Sequence, residues 1–167
     1  MDAAERLSNV WPKLERAKQH INELHRAYRI FIKSNPYVVG TKRDDKRGLI
    51  YYIVSVKPVP IEIATITGDI LQNLVSALDH LAYQLVCVGK SNEGPFFHVY
   101  FPVADSATEY EAKKVRKVEG MRPEAIEAID EITPYKGGND LLWKLWKLNN
   151  ADKHRWVVTV GSAYRSV

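Results

Sequence analysis

Cysteine and long apolar runs are what this sequence has least of. Cys87 is the one cysteine, so neither an intrachain disulfide nor a paired-cysteine metal site can form. The longest strongly apolar run, residues 49–56, falls well short of the roughly 20 residues that a membrane-spanning helix needs. The first residues also lack the basic start and apolar core of a signal peptide. We therefore expect a cytoplasmic protein that makes no use of a membrane.

Motifs that bind nucleotides or activate nucleophiles are missing as well. The sequence holds no GxGxxG, no P-loop, no HExxH and no GxSxG. A nucleotide-driven enzyme needs a glycine loop that cradles phosphate, so this class is not expected. The sequence predicts no cofactor.

What is present is typical of a globular domain. The 167 residues are 46% apolar and 26% charged, which predicts one domain over residues 1–167 with a full core. The net charge of +4 and the pI of about 9.1 allow an anionic partner such as RNA without requiring one. A homodimer or a protein partner is compatible with the same composition.

Apolar spacing predicts a mainly α-helical bundle with a small β-hairpin. Residues 7–33 predict a first helix, in which Pro12 either opens the main helix after a separate short turn or introduces a kink. Residues 62–88 form a central helix that Gly89 ends, and residues 140–154 form the C-terminal helix. The segments 108–118 and 123–132 predict two shorter helices.

The hairpin is expected over residues 37–57, between Pro36 and Pro58. Its second strand is apolar on both faces, so a helix, another strand or a second subunit should cover it. Residues 156–160 are β-prone and predict a strand added to the hairpin. The central helix has no Lys or Arg between Ile63 and Gly89, which predicts that protein surrounds most of it.

Two polar stripes break the apolar pattern of the helices. On the central helix the stripe contains Asn73, Ser76, Asp79, His80, Tyr83 and Gln84. Residues three and four apart share one side of a helix, so most of this stripe is stacked. At the end of the last helix the second stripe contains Asn149, Asp152, Lys153, His154 and Arg155. Asp152 follows Leu148 and Leu145 at helical spacing and so lies on the apolar face.

Three interpretations of the two stripes stay open. A buried carboxylate is costly without a partner, so the stripes can form a structural Asp/His/Arg network between the two helices. Alternatively they form a catalytic site, in which His80, His154, Asp79, Asp152 and Arg155 act while Asn73, Ser76, Tyr83, Asn149 and Lys153 bind substrate. A metal site is the third reading, although no recognised ligand spacing supports it and we predict no metal ligands.

The residues of the stripes also carry a resemblance. Residues 73–80, Phe101-Pro102, Pro134-Tyr135 and residues 152–155 look like an uncharacterised family of bacterial proteins, common in actinobacteria. The likeness covers residues 50–160, and its helical layout is similar to the HEPN superfamily, which includes metal-independent ribonucleases of toxin and phage-defence systems.

HEPN ribonucleases place an Arg four to six residues before a His. Here Val75 stands five residues before His80 where the motif has Arg, and Lys147 precedes His154 with six residues between them but is Lys. The resemblance therefore implies a degenerate nuclease motif. We expect a non-enzymatic binding or dimerisation module, with a HEPN-like ribonuclease as the alternative and a metal-binding helical bundle as a further one.

Overall fold

The computed structural model describes residues 3–154, with the side chains of Ala3 and His154 left aside. The chain is mainly helical with one two-stranded antiparallel sheet, which confirms the predicted fold class. In chain order the elements are α1 (Ala3–Arg6), a 3-10 turn (Leu7–Asn9), α2 (Trp11–Lys33), β1 (Tyr37–Asp44), β2 (Gly48–Val56), α3 (Ile61–Lys90), α4 (Ala107–Lys117), α5 (Pro123–Glu131) and α6 (Asp140–His154).

Helix α2 begins and ends where proline and its neighbours require. Pro12 lies in the first turn, where its missing N–H needs no helical partner, and the short turns before it are separate elements. Ser34 caps the other end, and Asn35 takes a left-handed backbone conformation immediately before Pro36. Helices α2 and α3 pack along one another, and Ala17 and His20 of α2 are buried.

Helix α3 is enclosed over its central and C-terminal part, as its lack of charge predicted. From residue 73 to residue 88 every side chain is buried or half-buried. Ala82 and Val86 are completely buried at the centre of the main core. The loop after α3 crosses this core, and it buries Phe101 and Val103. The other buried members of the core are Val118, Met121 and Ile129.

Helix α6 packs against α3 and is held at its start by polar contacts. The side chain of Asn139 accepts a hydrogen bond from the Leu142 N–H at 3.1 Å and so caps the helix. Asp105, in the loop before α4, accepts hydrogen bonds from the Trp143 indole at 2.8 Å and from Lys147 at 2.9 Å. These bonds fix the register of α6 across the core.

Gly89 does not end the central helix, which corrects the prediction made from the sequence. Helix α3 runs one residue further to Lys90, and Ser91 takes the left-handed position after it. A Cβ atom on Gly89 would lie 1.9 Å from the Gly120 carbonyl oxygen. Glycine therefore stands at this position because another backbone passes directly against the helix.

The hairpin extends away from the described helices. Its strands pair in register from Tyr37 and Val56 to Asp44 and Gly48, with one bulge after Val38. Side chains on both faces of β2 are exposed, among them Tyr51 at 68% and Val54 at 58%. Within residues 3–154, neither helices nor a further strand cover these faces. Residues 156–160, predicted to add a strand here, lie outside the described residues.

None of the helices in the part of the chain that the structure describes is both long enough and apolar enough to cross a membrane.

Candidate functional site

A polar cleft opens on the side of α3 that carries the first stripe. Its volume is about 340 Å³, and Asp79, His80, Tyr83 and Gln84 line it from the helix. The opposite wall consists of Asn9, from the 3-10 turn, and Val99, from the loop after α3. The cleft thus brings together segments that lie about 70 and 20 residues apart in the sequence.

Asp79 is the electrostatic centre of the cleft. Its Oδ1 atom accepts a hydrogen bond from the Phe101 N–H at 3.0 Å. Burial raises the pKa of this carboxyl above its ordinary value of 3.8, and it outweighs the opposing effects of the hydrogen bond, Lys153, Lys117 and His80. Asp79 therefore takes up a proton more readily than an exposed aspartate does.

Lys117, which faces Asp79 from α4, is itself partly withdrawn from water. Burial lowers the pKa of its ammonium group, while the charge of Asp79 acts in the opposite direction. The Nζ atom donates a long hydrogen bond, 3.5 Å, to the Val103 carbonyl. Asp79 and Lys117 form no direct ion pair in the structure, so each charge acts on the other only at longer range.

The rest of the cleft wall is held by hydrogen bonds to the loop that follows α3. The Tyr83 hydroxyl donates to the Glu93 carbonyl at 3.0 Å. The Arg6 guanidinium donates to Gln84 at 3.4 Å and forms an ion pair with the Glu93 carboxylate at 3.1 Å. The ring of Tyr83 also packs against Phe96, with 5.8 Å between ring centroids. Arg6 and Tyr83 thereby position the loop at the edge of the cleft.

Two members of the first stripe lie outside this cleft. Asn73 donates from its side chain to the Asp69 carbonyl one turn earlier, at 2.8 Å. Ser76 is half-buried on α3 and does not line the cavity. The stripe therefore divides into a cleft-forming part, residues 79–84, and a part that belongs to the helix itself.

The second stripe meets α3, but at a different level from Asp79. The Asp152 carboxylate lies against Gly68, where its Oδ2 atom would be 2.6 Å from an added Cβ. Gly68 is eleven residues before Asp79, which corresponds to about 16 Å along the helix. Among the described residues of the second stripe, Lys153 is the one whose charge acts on Asp79. The two aspartates consequently occupy separate sites on α3.

Asn149 is the most deeply buried polar residue of the second stripe. Its side chain is 1% exposed, and neither atom of its amide group has a hydrogen-bond partner among the described residues. An unpaired buried amide costs about 1–3 kcal/mol. Asn149 is thus buried on α6 and does not line the cleft. His154 ends α6, but its side chain and the whole of Arg155 lie outside the described residues.

No group of three or more His, Cys, Asp or Glu side chains converges on a common point within residues 4–153. Within that range, no cluster of side chains therefore supports the metal-binding interpretation. Asp79 and His80 are adjacent on α3, and adjacent side chains on a helix diverge by about 100°.

The sequence alone did not identify three participants in the site. Asn9 precedes Pro12 in a segment that carries no chemical motif, and Val99 and Arg6 lie in regions without periodicity. Each reaches the cleft through a long-range contact that local spacing does not encode. The sequence offered one signal for the contact of Arg6. Glu93 is an acidic residue in the turn after α3, and the preceding part of that helix has no acidic residue beyond Asp79.

Comparison with models of protein families, with curated proteins and with solved structures finds no match to this chain.

Proposed function

We propose that the chain is a binding module whose cleft on α3 takes a small, uncharged ligand with a planar polar ring, the size of a nucleoside. The observation that carries the proposal is the cavity of about 340 Å³ lined by Asp79, His80, Tyr83 and Gln84. Ligand sites commonly have volumes of about 300–1000 Å³ and combine a few polar groups with apolar walls.

The groups of the cleft suit a ligand that both donates and accepts hydrogen bonds. Asn9 and Gln84 carry amides that do both, and His80 does so in its neutral form. Asp79 accepts from the Phe101 N–H through Oδ1, so its Oδ2 is the oxygen that can accept a hydrogen bond from a ligand. Tyr83 and Val99 supply apolar surface for a ring.

An uncharged ligand is favoured because Arg6, the cation that contacts Gln84 of the cleft, is already paired. The Arg6 side chain is 18% exposed and engages Glu93. On α4, Lys114 contacts Asp130 at 2.9 Å, whereas Lys117 is half-buried and acts on Asp79 at longer range. A phosphate group bound by Arg6 or Lys114 would have to break an ion pair.

The test is a ¹⁵N NMR titration of the full chain with cytidine and with adenosine, using ribose as the control compound. We expect shifts of the amide signals of residues 79–84 that saturate with the nucleoside and not with ribose. Gln84→Ala should weaken binding at least roughly tenfold. Gln72→Ala, an exposed glutamine on the same helix, is the matched control and should bind normally. Absence of saturable shifts with both nucleosides contradicts the proposal.

A second candidate is the metal-independent, HEPN-like ribonuclease that the resemblance implies. The observation in its favour is that Asp79, with its raised pKa, shares a cleft with His80, because carboxyl and imidazole groups are a usual pair for general acid–base catalysis. Cleavage of RNA in excess EDTA that His80→Ala abolishes, and that His25→Ala at an exposed position retains, would favour this candidate.

The remaining predictions about partners and location are part of the same proposal. A homodimer and an RNA or protein partner follow from the sequence and the resemblance, as does a cytoplasmic location in a bacterium. The structural Asp/His/Arg network also stays a prediction, because Arg155 and the His154 side chain belong to it and lie outside the described residues.

A further inference from the structure

The hairpin formed by β1 and β2 carries the largest group of exposed apolar side chains in the described chain. One face, here called face A, presents Val39, Leu49, Tyr51 and Ile53, which are 56–68% exposed. The register places Val39 opposite Ile53 on this face, and Thr41 and Arg43 complete the face opposite Tyr51 and Leu49. The opposite face is partly self-covered, because the Tyr52 ring lies across Gly40, 2.7 Å from an added Cβ. Face A has no comparable cover.

We propose that face A packs against face A of a second copy of this chain. A two-stranded hairpin is at best marginally stable in water by itself, so its order depends on burial. An interface with twofold symmetry uses the same patch on both subunits, which requires a patch that is compatible with itself. Face A meets this requirement at Val39, Tyr51 and Ile53, which are apolar, while its one charge, Arg43, lies at the turn end of the hairpin.

The chain exposes more area than a compact monomer of its mass. The chain exposes 12007 Å², against about 8400 Å² for a compact monomer of 19.1 kDa. The residues outside the described range account for at most about 2500 Å², the area of a fully extended chain of their mass. More than about 1000 Å² therefore remains, and a standard interface takes about 800 Å² from each partner.

Other apolar side chains extend the patch toward the base of the hairpin. Ile30 near the end of α2 is 71% exposed, and Ile61 at the start of α3 is 68% exposed. Both lie within a few residues of the segments that join the helices to the strands. This patch is distinct from the polar cleft, so the two proposals can fail separately.

Sedimentation velocity of the full chain at micromolar concentrations tests the proposal. We expect a particle of twice 19.1 kDa. Ile53→Lys should raise the dissociation constant of the dimer at least roughly tenfold, since it places a charge in the centre of face A. Tyr51→Thr should do the same while it keeps a residue of high β-propensity in the strand, so loss of the hairpin itself is not the cause. Val115→Lys on α4, where valine is 67% exposed, is the matched control and should leave the dimer intact.

Three results would overturn the proposal. The wild-type chain could sediment as a monomer over the whole range of concentrations. It could form a dimer that neither Ile53→Lys nor Tyr51→Thr weakens. Finally, a monomer in which both strands are protected from hydrogen exchange would show that the chain covers the hairpin with its own residues.

Discussion

The C-terminal part of α3 and the β-hairpin are built from similarly apolar sequence, yet they differ in what surrounds them. Every side chain of α3 from residue 73 to residue 88 is buried or half-buried, whereas all but one of the residues of β2 are exposed. The helix receives its neighbours from the α2, α6 and loop segments of the same chain. The difference shows that apolar composition predicts the need for burial and does not say which surface provides it.

The largest expected effect comes from glycine substitutions that compare the two regions. Gly89→Ala places a methyl group into the Gly120 backbone, so we expect it to lower the free energy of unfolding by about 3 kcal/mol despite its better helix propensity. Gly40→Ala meets the movable Tyr52 ring and should cost less than about 1 kcal/mol. Urea denaturation of both variants measures the difference. Equal losses would mean that the hairpin is as tightly packed as α3.

The next effect separates the hydrogen bond of Asp79 from its charge. Asp79→Ala leaves the Phe101 N–H without its acceptor, and we expect a loss of about 1–3 kcal/mol. Asp79→Asn keeps an oxygen for this bond and removes a poorly solvated charge, so its stability at neutral pH should equal or exceed that of the wild type. Thermal unfolding of the two variants provides the measurement. A large loss in Asp79→Asn would show that the charge itself stabilises the fold.

A smaller effect, of opposite sign, is expected at the buried Asn149 of α6. Asn149→Leu replaces an amide that has no partner among the described residues by an apolar side chain with the same branching and the same number of heavy atoms. We expect a gain of about 1 kcal/mol in the free energy of unfolding. Asn150→Leu, at the neighbouring half-buried position, is the control and should gain less. A loss of stability in Asn149→Leu would indicate that the amide bonds to a group outside residues 3–154.

The smallest effect is a pH dependence that Asp79 contributes. Burial raises its pKa in the folded chain above the ordinary value of 3.8, so the folded state binds the proton more tightly than the unfolded state. The contribution of Asp79 to stability is thus fully present below pH 3.8 and is lost as the pH rises through the folded pKa. The difference in unfolding free energy between the wild type and Asp79→Asn, followed from pH 3 to pH 7, should change in this direction. A constant difference over that range would contradict the expected shift.

Much of the fold could be predicted from the sequence because its signals are local. The heptad-like seam of α2, Pro12 and Pro123 at helix starts and the polar turn before Gly48 all act within a few residues. Gly89 was wrongly predicted to end α3, because the reason for a glycine there is the passing backbone of Gly120, 31 residues away. Tertiary contact of this kind leaves no periodic trace in the sequence.

Of the candidate site, only the residues that α3 contributes could be predicted from the sequence. Asp79, His80 and Tyr83 were identified from their spacing on α3, and the structure places all three in one cleft. The sequence could not show whether the two stripes form one cluster. Helical spacing predicts the face on which a residue lies, but it does not predict which turn of the partner helix that residue meets. Asp152 shares a helix contact with α3 but lies beside Gly68, three turns from Asp79.

The most direct test of the cleft is the pKa of Asp79, measured from the ¹³Cγ chemical shift of the full chain as a function of pH. We expect a pKa of Asp79 above 3.8 in the free protein, and we expect this pKa to change when a nucleoside saturates the cleft. A pKa at or below 3.8 that no nucleoside alters would show that Asp79 is an ordinary solvated carboxylate, and it would remove the electrostatic basis of the proposed binding site.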